Sequence, residues 1–430
     1  PDLNANEIGE HSLKGIEEKV TLYDLVFNTD GTITEKIEVT HKIQANNEEG
    51  KRIEEEAPKI EYLKKISLFF FNNKTNDENL DWLQYGLMYA TSYKLLQEKL
   101  IDVYKACFSD TMKKAGYPNG VEIPNPLKRK ISLLTNRKFW FSGDIFKDSS
   151  NYRIVTGLYS VKTGKLIKER VFIGNNIFSI IDNICLQLQY DLDIPSSHIE
   201  ESNNESISDI FTSNLKAFEL YADGMIAKIK DKDYKTSIEK FNLAIKEDKG
   251  FVASYLDIGA TQIFYEPEKM TQSLENAMDL IYKLPEPLKY SLKNLFFTYV
   301  EKNPKKCIKL NELWTKLQPE NFDAHLNLAK IYVKSENIDK AIKEYKLLLK
   351  IDPSNYSVLG EIIDLYKRKN DYNDALNELK IYTANFPEDY RGYFDMSYVY
   401  ENMGEFKNAM EACETASLLE PKNNLILSYM

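Results

Sequence analysis

The chain has 430 residues, 43% apolar and 28% charged, a balance that suits two or three globular domains, each with its own core. Its formal net charge of −10 argues against a nucleic-acid partner, and no apolar run approaches the ~18 residues needed to span a bilayer. The four cysteines (Cys107, Cys185, Cys307, Cys413) form no CxxC pair, which argues against zinc and thioredoxin-like motifs and predicts reduced thiols in a cytoplasmic protein.

The chain opens on Pro1 with no signal-peptide pattern, so a fragment or processed piece of a longer protein is expected. Residues 9–25 read GEHSLKGIEEKVTLYDL. Gly15 permits a turn, and Val20, Leu22 and Leu25 suit a sheet edge, so the plain reading is a hairpin. The stretch also resembles the C-terminal end of class III nucleotidyl cyclase catalytic domains, through Gly9, Glu10, Leu13, Lys14, Gly15, Ile16, Val20 and Tyr23. That resemblance implies that 1–25 ends the catalytic domain of a parent adenylate or guanylate cyclase. Such a parent would need Mg²⁺ or Mn²⁺ and would work as a homodimer through its catalytic domains. The family's metal aspartates lie upstream, so the resemblance puts no catalytic residue, metal or cofactor in this segment. Residues 26–60 are polar and end in an acidic run closed by Pro58, which reads as a linker, with TITEKIEVTHKI either strand or short helix.

Residues 61–200 return to α/β character. ISLFFF (66–71) is a buried strand, and DENLDWLQYGLMYATSYKLLQEKL carries Leu80, Leu83, Leu87 and Ala90 at amphipathic-helix spacing. IDVY and KFWFSGDIF are further strands. NYRIVTGLYSVKTGKLIKERVFIG is a hairpin turning at Lys162-Thr163-Gly164. A helix capped by Asn175-Asn176 then buries Ile177, Ile181, Ile184 and Leu188. SGD and TGK lack the glycine pattern and Lys-Ser/Thr of a phosphate loop, Asp81 and Asp144 read as caps, and the aromatics Phe69, Phe70, Phe71, Trp140 and Phe141 read as core. The region resembles the TolB-like amino-terminal domain of bacterial signalling proteins, carried by Phe71-Asn72-Asn73, Asp81-Trp82-Leu83 with Gly86, Gly143 and Thr163-Gly164. Residues 108–130 fit that family poorly.

A polar hinge is expected at 201–212, and helices fill 213–430. Pro285, Pro319, Pro353, Pro387 and Pro421 recur every 34 residues, and Ala341, Ala375 and Ala409 fall at equivalent places between them. Period, small residue and terminal Pro resemble the tetratricopeptide repeat, two antiparallel helices per unit stacked into an all-α superhelix. The pattern is strong over 322–421 and weaker over 213–319, where Cys307 takes the place of Ala.

The family's concave positions would place a peptide-binding groove at Asn327 and Lys330, at Glu361, Asp364 and Arg368, and at Arg391, Phe394, Asp395 and Tyr398. Glu361, Asp364 and Asp395 would repel a carboxylate. A basic and apolar segment held by Phe394 and Tyr398 is therefore expected. Together the resemblances imply the regulatory, protein-binding region of a nucleotidyl cyclase, with a free-standing repeat adaptor as the alternative.

Overall fold

The computed structural model describes residues 4–11, 20–26 and 63–429 apart from 108, 109, 203, 320, 354 and 422. Two compact units result, 1–60 and 61–430. In the first, β1 (Asn4–His11) and β2 (Val20–Val26) pair antiparallel, Asn4 opposite Val26, with a register shift between Glu7 and Gly9. The expected turn at Gly15 and the linker to residue 60 lie outside the described residues.

The second unit opens with a mixed sheet of β3 (Lys64–Leu68), β4 (Asn72–Asn73), β5 (Ile101–Lys105), β6 (Phe139–Asp148), β7 (Asn151–Ser160) and β8 (Leu166–Gly174). The strand order is β5-β3-β6-β7-β8, with β4 also on β6; β3 is parallel to β5 and β6, while β7 and β8 run antiparallel. The β7–β8 hairpin turns where the sequence predicts, with Gly164 at φ +73°, a conformation that glycine adopts without a Cβ penalty. Helix α1 (Asp81–Leu95) covers one face; α2 (Asp110–Lys114) and α3 (Asn125–Leu134) lie in the stretch that fitted the TolB-like pattern poorly. Helix α4 (Ile177–Asp191) starts where expected, Asn176 accepting hydrogen bonds from the N–H groups of Phe178 and Ser179. The aromatics divide between two cores: Phe70, Phe71 and Phe141 enter one, and Phe69 and Trp140 a second under α3, with Trp140 and Phe141 facing opposite sides of β6.

The motif residues of this region prove to be its fastenings. Asn72 donates to Asp144 (2.7 Å) and accepts from the Glu122 backbone, while Asn73 donates to Asp81 (2.7 Å). A Cβ on Gly143 would stand 2.5 Å from the Val155 carbonyl and 2.7 Å from the Phe71 ring, so only glycine fits between them. Helix α1 departs from expectation: it is enclosed on all sides, because the sheet lies beneath it and helices lie above.

The sequence hinge is likewise structured. Helices α5 (Ser196–Glu201) and α6 (Ile207–Ile210) carry Ile199, Ile207, Ile210 and Phe211 into the core. Thr212 is buried with them, its hydroxyl donating to Asp248 (2.6 Å), and the apolar residues decide the packing.

Six helix pairs follow: α7 (Leu215–Ile226) with α8 (Tyr234–Glu247), α9 (Val252–Tyr265) with α10 (Met270–Asp279), and α11 (Glu286–Leu295) with α12 (Pro304–Leu317). Then come α13 (Phe322–Lys334) with α14 (Ile338–Ile351), α15 (Tyr356–Lys369) with α16 (Tyr372–Asn385), and α17 (Tyr390–Asn402) with α18 (Phe406–Leu419). A short α19 (Asn424–Tyr429) closes the described chain. Pro319, Pro353, Pro387 and Pro421 each stand two residues beyond a second helix, where the missing N–H and ring stop it. Ala341, Ala375 and Ala409 are buried at the crossings, and Cys307 is buried in the equivalent slot.

Candidate peptide-binding groove

The first helices of successive pairs touch along one side of the array. The Tyr356 hydroxyl at the start of α15 donates to the Arg391 carbonyl (3.0 Å) and to the Asp395 carboxylate on α17. Lys367 of α15 lies 5.9 Å from the Tyr398 ring of α17, and Tyr398 stacks on Tyr429 of α19 at 4.6 Å. This row carries the nine residues that the sequence assigns to the groove, and the structure sorts them into three groups.

Asn327, Lys330 and Arg368 are the available ones. Lys330 and Arg368 are exposed, Asn327 is half-buried, and none of the three has a hydrogen bond or ion pair among the described residues. Glu361 and Asp364 are exposed and lightly engaged, Glu361 by the Tyr345 hydroxyl at 3.5 Å and Asp364 by Lys367 at 3.3 Å.

The α17 residues are committed within the fold. Arg391 makes a two-pronged ion pair with Asp389 (2.9 and 2.6 Å) and lies 4.2 Å over the Tyr356 ring. Donating to the Asp389 carboxylate raises the guanidinium pKa further. Asp395 is tied to Tyr356; burial pushes its carboxyl up, against the lowering effect of that hydrogen bond. Phe394 is only 8% exposed, packed edge-on to Tyr398 and Tyr429, both at 5.5 Å. The expected aromatic anchor at Phe394 is therefore corrected: α19 of the same chain already covers it. Tyr398 keeps one open edge, at 39% exposure.

Sequence reasoning missed Tyr356 and Tyr429 as partners in this row. The signal was present, since Phe322, Tyr356 and Tyr390 put an aromatic at the first position of three consecutive units. Among the described residues no group of three or more His, Cys, Asp or Glu is placed to hold a metal ion, and no helix is long and apolar enough to cross a membrane.

The tetratricopeptide-repeat family model matches residues 322–355 and 390–423, the units built on α13–α14 and α17–α18. Neither match falls in 1–25 or 61–200, where the cyclase and TolB-like resemblances lie. No curated protein matches the chain. Among solved structures, PilW, described as a widely conserved type IV pilus biogenesis factor, is 15% identical over 50% of this chain and 99% of its own, with a TM-score of 0.40. A tetratricopeptide repeat protein from Parabacteroides merdae ATCC 43184 is 15% identical over 48% and 85%, with a TM-score of 0.33. YrrB, described as a TPR protein with an unusual peptide-binding site, is 18% identical over 45% and 98%, with a TM-score of 0.31. Tetratricopeptide repeats thus stand at 322–355 and 390–423 of this chain, within an all-helical array that follows a mixed-sheet α/β region.

Proposed function

We propose that this chain is a protein-interaction adaptor whose repeats hold an extended segment of a partner protein along α13 and α15. The observation that carries the reading is the unspent polarity of that row: Asn327, Lys330 and Arg368 make no hydrogen bond or ion pair among the described residues, while Arg391 and Asp395 nearby are fully engaged. Free donors of both amide and cationic type beside the exposed acids Glu361 and Asp364 suit a segment with mixed charge. The open edge of Tyr398 suits an apolar side chain at one end of it. A linked cyclase rests on the resemblances of 9–25 and of the α/β region, neither of which a family match supports, and the free-standing adaptor has the wider support.

The test is a peptide array probed with the whole protein, followed by titration of the best binder. Asn327→Ala and Glu361→Ala should each weaken that binder several-fold, whereas Lys407→Ala on the outer helix α18 should not. Loss of affinity only in the Lys407 variant, or equal affinity in all three, would place the partner surface elsewhere.

A further inference from the structure

Away from the repeats, a cavity of about 330 Å³ opens between the start of α3 and the β6–β7–β8 face of the sheet. That volume lies within the usual range for small-molecule sites. Its lining is polar: Asn125 on α3, Ser142 and Asp144 on β6, Thr156 on β7 and Glu169 on β8 surround the Lys128 side chain. Alternation along the strands puts Ser142, Asp144 and Glu169 on one face, since Ser142 stands opposite Gly157, Gly157 opposite Glu169, and Asp144 opposite Val155. Gly157 leaves the floor open, and the Tyr159 ring folds over it, so close that a Cβ there would meet the ring at 2.6 Å. Tyr159 is fixed in turn by stacking on the buried Trp140 at 4.9 Å.

Lys128 is the unusual member. It is only 5% exposed; among the described residues its one hydrogen bond goes to the Ser142 hydroxyl at 2.9 Å, and its Nζ lies 5.9 Å from the Phe69 ring. A lysine ammonium has three donors, so two remain for the cavity. Burial lowers its pKa to about 8, countered in part by Asp144, so the amine is still mostly charged at neutral pH. A buried lysine is ordinarily paired with a carboxylate. Here Asp144 and Glu169 line the same cavity, yet neither forms an ion pair with Lys128. Asp144 is held by Asn72, and Glu169 stands across the sheet on β8. One cation and two anions thus face a common space without touching.

We propose that this cavity binds a small zwitterion of the α-amino-acid class, with its carboxylate on Lys128 and its ammonium between Asp144 and Glu169. A simple anion would satisfy Lys128 but would meet two carboxylates, and a simple cation would leave Lys128 unpaired. A zwitterion answers both ends. Asn125 at the start of α3 remains to meet the rest of the molecule. The inference is independent of the repeat groove.

Isothermal titration of the whole protein with single L-amino acids, and with acetate, methylamine and inorganic phosphate, tests the proposal. At least one amino acid should bind more tightly than any of the three simple ions. Lys128→Met, close in length and able to stay buried, should weaken it by about tenfold or more, and Asp144→Asn likewise. Lys130→Ala, exposed on the same helix α3 and outside the cavity lining, should keep the binding and so controls for the loss of a lysine there. Absence of heat with every amino acid overturns the proposal. So does acetate or phosphate binding as tightly as the best amino acid, or unchanged affinity in a folded Lys128→Met variant.

Discussion

His325 shows how a repeat can carry a titrating bond in its interior. The ring is buried on α13, with Nδ1 2.6 Å from the Glu344 carboxylate of α14 and Nε2 2.9 Å from the Pro319 carbonyl. Both partners can only accept, so both ring nitrogens donate and the ring is the imidazolium. Burial alone would lower the imidazole pKa, but the Glu344 and Pro319 hydrogen bonds outweigh it and hold the pKa above 6.5. A pKa raised on folding gives stability that is complete below the unfolded value of about 6.5 and is lost as pH rises through the folded one. His325→Gln should therefore cost more in melting temperature near about pH 6 than near about pH 9. A cost that is equal at both, or larger in alkali, would contradict the pairing. The pairing itself was not legible in the sequence. A lone histidine in a helix gives no hint of a glutamate nineteen residues on or of a proline carbonyl six residues back. The same holds for Asp395, whose polar letter looks available and whose partner Tyr356 becomes visible only once the helices stack.

At the scale of the helix pair, small residues set the spacing. Ala375 is fully buried against the neighbouring helices, while Asn377, two residues on, faces solvent. Ala375→Leu should cost about 1–3 kcal/mol, and Asn377→Leu should stay within about 0.5 kcal/mol, read from chemical or thermal unfolding. Equal effects would mean that the helices cross elsewhere. Much of this scale could be read from the sequence, because proline spacing and apolar period are local signals. The pairs from α13 onward begin at 322, 356 and 390, and α19 begins at 424, in strict 34-residue steps. Earlier the step from α7 to α9 is three residues longer and that from α11 to α13 two longer. Each excess coincides with a π-helical turn, Ala227–Asp231 and Phe296–Val300, which absorbs added residues without ending the helix. Such turns have no simple letter code, so the pattern blurs there while the fold continues. The middle unit on α15–α16 differs for another reason. Ala329 and Ser397 are small and buried at a position where α15 has the larger Ile363, so the pair keeps its geometry with an atypical sequence.

At the scale of the molecule, the sheet region and the first repeats share one core. Ile66 of β3, Leu83 of α1, Ile181 of α4, Phe218 of α7 and Leu274 of α10 belong to a single buried cluster. Its centre is aromatic: Phe218 stands edge-on to Trp82 of α1 at 5.1 Å, and Phe211 stands 4.9 Å from Tyr93, 5.7 Å from Phe218 and 4.7 Å from Phe251. Gly86 lets α1 and α7 approach, since a Cβ there would lie 3.1 Å from the Phe218 ring. Sequence reading divides the chain at a polar hinge because composition reports exposure along the chain and is blind to a cluster built from segments far apart in it. With Phe218 at the seam, Phe218→Ala should cost about 3–5 kcal/mol. The decisive readout is where the loss appears. If α1 and α7 are parts of one cooperative body, amide protection should fall together over 81–95 and 215–226. Protection lost in α7 and α8 alone, with α1 and the sheet unchanged, would show two domains that merely abut, and would restore the hinge at 201–212.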